Sequence, residues 1–216
     1  MYPDTTEDKG IIIENPDICL KILYVDCEKF KHFNFNVITM KYSKARKMMQ
    51  PGDLIGFSGA SLLSKIIKRV TRSEISHVGV ILQTEIIDGG IWINQLIEST
   101  NSGVKINRMS DHVRDYAGNL YWYPLTDESL AKLNLKKMYK FLLTHKGKKY
   151  DAWQAVLSAF DLFPDTSENF RRMFCSELTA AGYEAGGLLK NINCSEMTPA
   201  DQVNMNLFKS RVEITK

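Results

Sequence analysis

Cys175, His77 and Glu98 are of the residue types that carry out nucleophilic chemistry together, although they are far apart in this chain of 216 residues. Cys175 lies in the run Met173-Phe174-Cys175-Ser176-Glu177-Leu178-Thr179-Ala180-Ala181-Gly182, which reads as a loop entering the first turn of a helix. Backbone N–H groups at such a terminus, with the dipole behind them, favour thiolate over thiol and can also hold an oxyanion. Taken alone, a cysteine between Phe174 and Leu178 equally suits a small buried apolar residue. The nucleophile reading needs a base within hydrogen-bond reach and a third polar group that orients it.

The chain has four histidines. His32 falls in an N-terminal stretch without an assigned role, His112 follows a Met109-Ser110-Asp111 cap, and His145 lies among lysines, so these three read as surface residues. His77 differs because it opens the apolar β-run 77–83. Asp88-Gly89-Gly90 then signals a turn before a second β-run over 91–98, and the two runs together predict an antiparallel hairpin. With the turn centred near Ile87 and Asp88, Leu82 faces Ile93 and His77 stands directly opposite Glu98. Residues paired in this way share a face, with Cβ atoms about 5 Å apart. Glu98 would then orient the imidazole and stabilise its cation. The same pattern also suits a plain ion pair at a sheet edge, and a register slip or a bulge at Gly89-Gly90 would separate the two.

Around this hairpin, residues 42–49 predict a basic helical stretch ended by Pro51-Gly52, 53–57 a short buried strand, and 60–70 a helix. Strands are expected over 104–107 and 119–123, helices over 130–143 and 152–160, and a polar loop over 164–169. The helix bearing Cys175 ends at Gly186-Gly187, and Thr198-Pro199 opens another. Residues 207–214 are expected to close the sheet. Strands in the middle with helices on both sides indicate an α+β fold. Residues 1–45 are read as an N-terminal extension with short β-like runs at 11–13 and 20–25, and residues 46–216 as the main domain.

Composition excludes several classes. A net charge of +3 is too small to imply a nucleic-acid partner, and the lysines and arginines fall at spacings that suit solvated helix faces. The four cysteines, Cys19, Cys27, Cys175 and Cys194, form no C-x-x-C pair, so no metal and no cofactor is expected. The polar, acidic start is unlike a signal peptide, and no apolar run is long enough to cross a bilayer. A soluble protein, cytoplasmic by default, is therefore expected. Gly56-Phe57-Ser58-Gly59-Ala60 lacks the closing glycine of a serine elbow, and no phosphate-binding glycine loop occurs.

In order along the chain come Pro51-Gly52-Asp53-Leu54-Ile55, Ser76-His77-Val78-Gly79-Val80, Leu96-Ile97-Glu98-Ser99, Gly147 through Tyr150-Asp151, and Phe174-Cys175-Ser176-Glu177-Leu178. This set resembles the circularly permuted branch of the NlpC/P60 papain-like superfamily, and within it the YiiX/YaeF-like permuted amidases. The resemblance spans roughly residues 50–190. It implies a permuted papain-like fold, with an antiparallel central sheet flanked by helices, and a histidine–acid–cysteine order. It also implies His77 as general base, Glu98 as its orienting partner and Cys175 as nucleophile, whose backbone N–H contributes to an oxyanion hole. Asp53, Ser76 and Tyr150 match supporting positions. The implied activity is thiol hydrolysis of amide bonds, in peptide, isopeptide or cell-wall substrates, through an acyl-cysteine. Lipid acyl hydrolysis or acyl transfer on the same residues is the alternative enzyme reading. A non-catalytic module that binds peptide or glycan is the alternative of another class.

Overall fold

The structure is a computed structural model that describes residues 38–100, 102–148 and 175–216. These residues belong to one compact unit, Val37–Lys216. The expected β-runs at 11–13 and 20–25, the helix at 152–160, the loop at 164–169 and the candidate residue Tyr150 lie outside the described residues.

Among the described residues, a seven-stranded sheet organises the unit. The strands are β1 (Ile38–Lys41), β2 (Leu54–Gly59), β3 (His77–Ile87), β4 (Ile91–Thr100), β5 (Gly103–Arg108), β6 (Gly118–Tyr123) and β7 (Val212–Thr215). Their spatial order is β1-β7-β6-β2-β3-β4-β5, and every neighbouring pair is antiparallel except β1 with β7. The helices are α1 (Tyr42–Ala45), α2 (Leu62–Val70), α3 (Met109–Asp115), α4 (Asp127–Lys132), α5 (Leu135–His145), α6 (Cys175–Ala185) and α7 (Pro199–Val203). The α+β expectation is met.

Strand alternation gives the sheet two apolar faces. Leu54, Val78, Val80, Ile97, Tyr121 and Tyr123 point to one face and pack with Met138 and Leu142 of α5 and Leu178 and Tyr183 of α6. Ile55, Phe57, Ile81, Leu96, Leu120 and Trp122 point to the other and pack with Tyr42 and Ala45 of α1 and Met109 of α3. The cysteine-bearing helix and the α3 helix thus lie on opposite faces.

Local signals explain most boundaries. Ser61 caps α2 by accepting from Ser64 N, and Thr198 and Asp201 form a capping box around Pro199 at the start of α7. The helix expected over 130–143 is two helices, because the chain is extended at Leu133 and Asn134 recaps it, its side chain accepting from Lys137 N at 3.0 Å. Pro51-Gly52 makes the expected turn. Gly52 has φ +98°, and its carbonyl accepts from the Tyr183 hydroxyl at 2.8 Å, which ties α6 to the entrance of β2.

Candidate active site

His77 is the first residue of β3, at the end of the sheet where β2 finishes, and it pairs with Phe57 across that ladder. Its hairpin partner is not Glu98. Glu98 stands opposite Gly79, so His77 and Glu98 are diagonal neighbours. Two irregularities produce this register. The turn spans Asp88-Gly89-Gly90 with Ile87 opposite Ile91, three residues away from the expected pairing sum, and a bulge at Leu82 takes one back. The net shift of two keeps the parity of the strands, so both side chains still share a face. Without the bulge, Glu98 would face Val80 and project to the other side.

Gly79 makes the diagonal contact possible. A Cβ at that position would lie 3.1 Å from the Cβ of Glu98 and 3.1 Å from Cγ of Leu96, in the space between the base and its partner. With that space free, Nε2 of His77 donates to Oε2 of Glu98 at 2.6 Å. An ionised carboxylate only accepts, which assigns the proton to Nε2 and leaves Nδ1 for another partner.

That partner is Cys175, which opens α6 on the opposite face and whose thiol lies close enough to His77 where the sheet ends for each to shift the other's protonation. The backbone N–H groups of Val78 and Ser176 also favour the thiolate. Burial works to raise the thiol, but the His77 charge, the His77 hydrogen bond and these N–H groups outweigh it and hold Cys175 below its ordinary value. Burial likewise works against the imidazolium, but the charges and hydrogen bonds of Cys175 and Glu98 outweigh it and lift His77 to about 10. Together these shifts favour a thiolate–imidazolium pair.

Glu98 is only 2% exposed. Burial pushes its pKa up, but contacts with His112 and His77 more than compensate and hold the carboxyl well below its usual range. Oε1 accepts from Asn107 Nδ2 at 2.8 Å, and Nε2 of His112 stands 2.6 Å from the same oxygen at ion-pair distance. Phe57 packs over the cluster, its ring 4.9 Å from His77, 5.2 Å from His112 and 5.1 Å from Tyr116. Tyr116 is pushed up to about 12, mainly by burial and further by the Glu98 charge.

The expected surface position of His112 is therefore corrected: it leans from α3 onto Glu98 with a fifth of its side chain exposed. Asn107 was not singled out by sequence at all. A signal existed, since the β4–β5 pairing sets Glu98 opposite Lys105 and brings Asn107 one pleat along the same face. Reaching His112 required knowing how α3 folds back on β4.

The supporting residues divide. Ser76 is buried beside His77, where its hydroxyl donates to the Phe57 carbonyl at 3.1 Å, accepts from Gly59 N at 3.2 Å and meets the Tyr116 hydroxyl. Asp53 lies at the other end of β2, about 13 Å along the strand from Phe57. There it accepts from Gln50 N at 2.8 Å, Trp122 Nε1 at 2.8 Å and Leu125 N at 2.9 Å. Among the described residues, no group of three or more His, Cys, Asp or Glu side chains is arranged to hold a metal ion. No described helix is long and apolar enough to cross a membrane.

The described chain is thus an α+β protein with a cysteine, a histidine and a glutamate gathered at one end of its sheet, the histidine and glutamate hydrogen-bonded. No family model matches it, and no curated protein matches it. Among solved structures it is similar to the metalloprotein YiiX from Escherichia coli O157:H7, at 19% identity and a TM-score of 0.43, over 77% of this chain and 88% of that one.

Proposed function

We propose that the protein is a thiol hydrolase that cleaves amide bonds through an acyl-cysteine, with Cys175 as nucleophile, His77 as acid and base, and Glu98 as the residue that orients His77. The observation that carries this reading is the His77–Glu98 hydrogen bond beside Cys175, with the thiol held low and the imidazole held high by their proximity. A buried ion pair serving structure alone does not require a thiol at a helix N-terminus facing the histidine.

In the first step the Cys175 thiolate attacks the carbonyl carbon, and the oxygen takes the negative charge, stabilised by the backbone N–H of Cys175. His77 gives its proton to the leaving nitrogen as the C–N bond breaks, which leaves a thioester. His77, now neutral, then removes a proton from water. The hydroxide adds to the acyl carbon, the C–S bond breaks, and the thiolate returns with His77 protonated again. Glu98 and its partners keep the ring in one orientation through both half-reactions.

Peptide, isopeptide and cell-wall peptide amides are the first substrates to test, followed by lipid acyl esters and amides. The permuted papain-like arrangement belongs to this same reading. The deciding experiment is hydrolysis of an amide and ester panel by wild type and Cys175→Ala, with trapping of the acyl-enzyme by mass spectrometry. An acyl adduct on Cys175 and turnover abolished in the variant are expected. Turnover unchanged in Cys175→Ala would overturn the assignment.

A further inference from the structure

Helix α2 is amphipathic with its polarity turned the wrong way for a core helix. Leu62, Leu63, Ile66, Ile67 and Val70 fall within an arc of about 140° at 100° per residue, a width that ordinarily faces a core. Here it is the polar side that meets the sheet. Lys68 Nζ donates to the Gly59 carbonyl at 2.8 Å, and Ser64 lies where a Cβ on Gly59 would go. No residue of α2 is buried; Leu63, Ile66 and Ile67 are half-buried, while Leu62 and Val70 are 71% and 50% exposed.

Charge follows the same plan. Lys65 and Arg69 are exposed along one edge of the apolar arc, Arg72 is exposed just past the helix end, and residues 60–73 contain no acid. Among the described residues none of these three cations has an ion-pair partner. A strong apolar face, a cationic edge and low overall hydrophobicity describe a helix that lies in a bilayer interface. Cations at that depth meet anionic headgroups while the apolar arc enters the acyl boundary.

Placement gives the helix a purpose. Gly59, which anchors Lys68, also donates its N–H to Ser76, the residue before His77. The outward arc therefore rides at the end of the sheet that holds Cys175, His77 and Glu98. We propose that α2 is an interfacial helix that seats this end of the protein on an anionic lipid surface. Leu62 and Val70 lead the arc into the membrane, and Lys65 and Arg69 contact the headgroups. Docking does not depend on thiol chemistry, so it stands or falls separately from the proposed hydrolase.

The test is flotation of the full chain with vesicles of phosphatidylcholine mixed with phosphatidylserine, against phosphatidylcholine alone. Binding to the anionic vesicles only, weakened by added salt and unchanged in Cys175→Ala, is expected. Lys65→Glu with Arg69→Glu should weaken it on the order of thirtyfold, and Leu62→Ser with Val70→Ser by about tenfold or more. Neither pair should alter the melting temperature, because all four side chains are exposed. Three results would overturn the proposal: equal binding to both vesicle types or to neither, binding that survives both pairs of substitutions, or a dimer that Leu62→Ser with Val70→Ser dissolves. A marked fall in melting temperature in that apolar pair would also overturn it, by showing that the arc is already covered within the protein.

Discussion

Glu98 faces Gly79 across the β3–β4 ladder, and the missing side chain at residue 79 is what lets the carboxylate reach diagonally to His77. A branched side chain in that gap must displace Glu98 or Leu96, both of which are buried. Overpacking of this kind costs about 1–3 kcal/mol. Gly79→Val is expected to lower stability by that amount and to slow alkylation of Cys175 near neutral pH by about tenfold, with Gly79→Ala intermediate. Urea melts and timed iodoacetamide labelling measure the two effects. Labelling at the wild-type rate in Gly79→Val would show that the diagonal contact does not control the thiol.

Much of this arrangement is legible in the amino-acid sequence, and the reason is parity. Alternation along 77–83 and 91–98 identifies two strands, and any even error in register leaves His77 and Glu98 on one face. The expected register differs from the observed one by two, because a three-residue turn and a bulge at Leu82 are set by tertiary packing that no local pattern encodes. The helix expected to begin at Cys175 agrees with α6. By contrast, the split of the 130–143 helix depends on Asn134 donating its N–H to the Gly186 carbonyl at 2.8 Å, a long-range contact. The contact between His112 and Glu98 is hidden for the same reason, since it joins a helix to a strand that precedes it.

The Cys175–His77 pair predicts a pH profile. Cys175 is held below its ordinary 9.0 and His77 is raised from 6.5 to about 10, so the ion pair persists across the interval between those shifted values. Alkylation of Cys175 is expected to continue well below pH 9.0, and His77→Asn should move its inflection back toward the ordinary thiol value. For stability the sign is set by the raised imidazole. Its contribution is complete below 6.5, declines above that, and is lost as pH rises through about 10. A wild-type alkylation inflection at the value of a free cysteine would refute the pair.

His112 stands against the oxygen of Glu98 that His77 does not use, so it acts on His77 through the carboxylate. His112→Ala removes one of the contacts that hold the carboxyl low, yet leaves the His77–Glu98 bond in place. The expected outcome is a roughly tenfold fall in kcat with KM little changed, and partial rescue by His112→Gln, whose amide can donate to the same oxygen. Acid stability should move as well. Glu98 contributes stability above its ordinary 4.5 that is lost as pH falls through its lowered native value, so His112→Ala should unfold at a higher pH during acid titration. An unchanged acid transition would remove His112 from the network.

Asp53 offers a contrast, because it is equally buried but belongs to the scaffold. Its carboxylate collects three donors, from Gln50, Trp122 and Leu125, and so joins the entrance of β2 to the end of β6. Burial raises its pKa, while those hydrogen bonds oppose the rise. Asp53→Ala leaves all three donors without an acceptor, and Asp53→Asn turns an N–H toward one of them. Each change is expected to cost about 2–4 kcal/mol in stability. In the folded fraction, the pH dependence of Cys175 alkylation should stay that of wild type, since the site lies some four residues farther along β2. A variant that kept its stability but lost the low thiol pKa would place Asp53 in the chemistry instead.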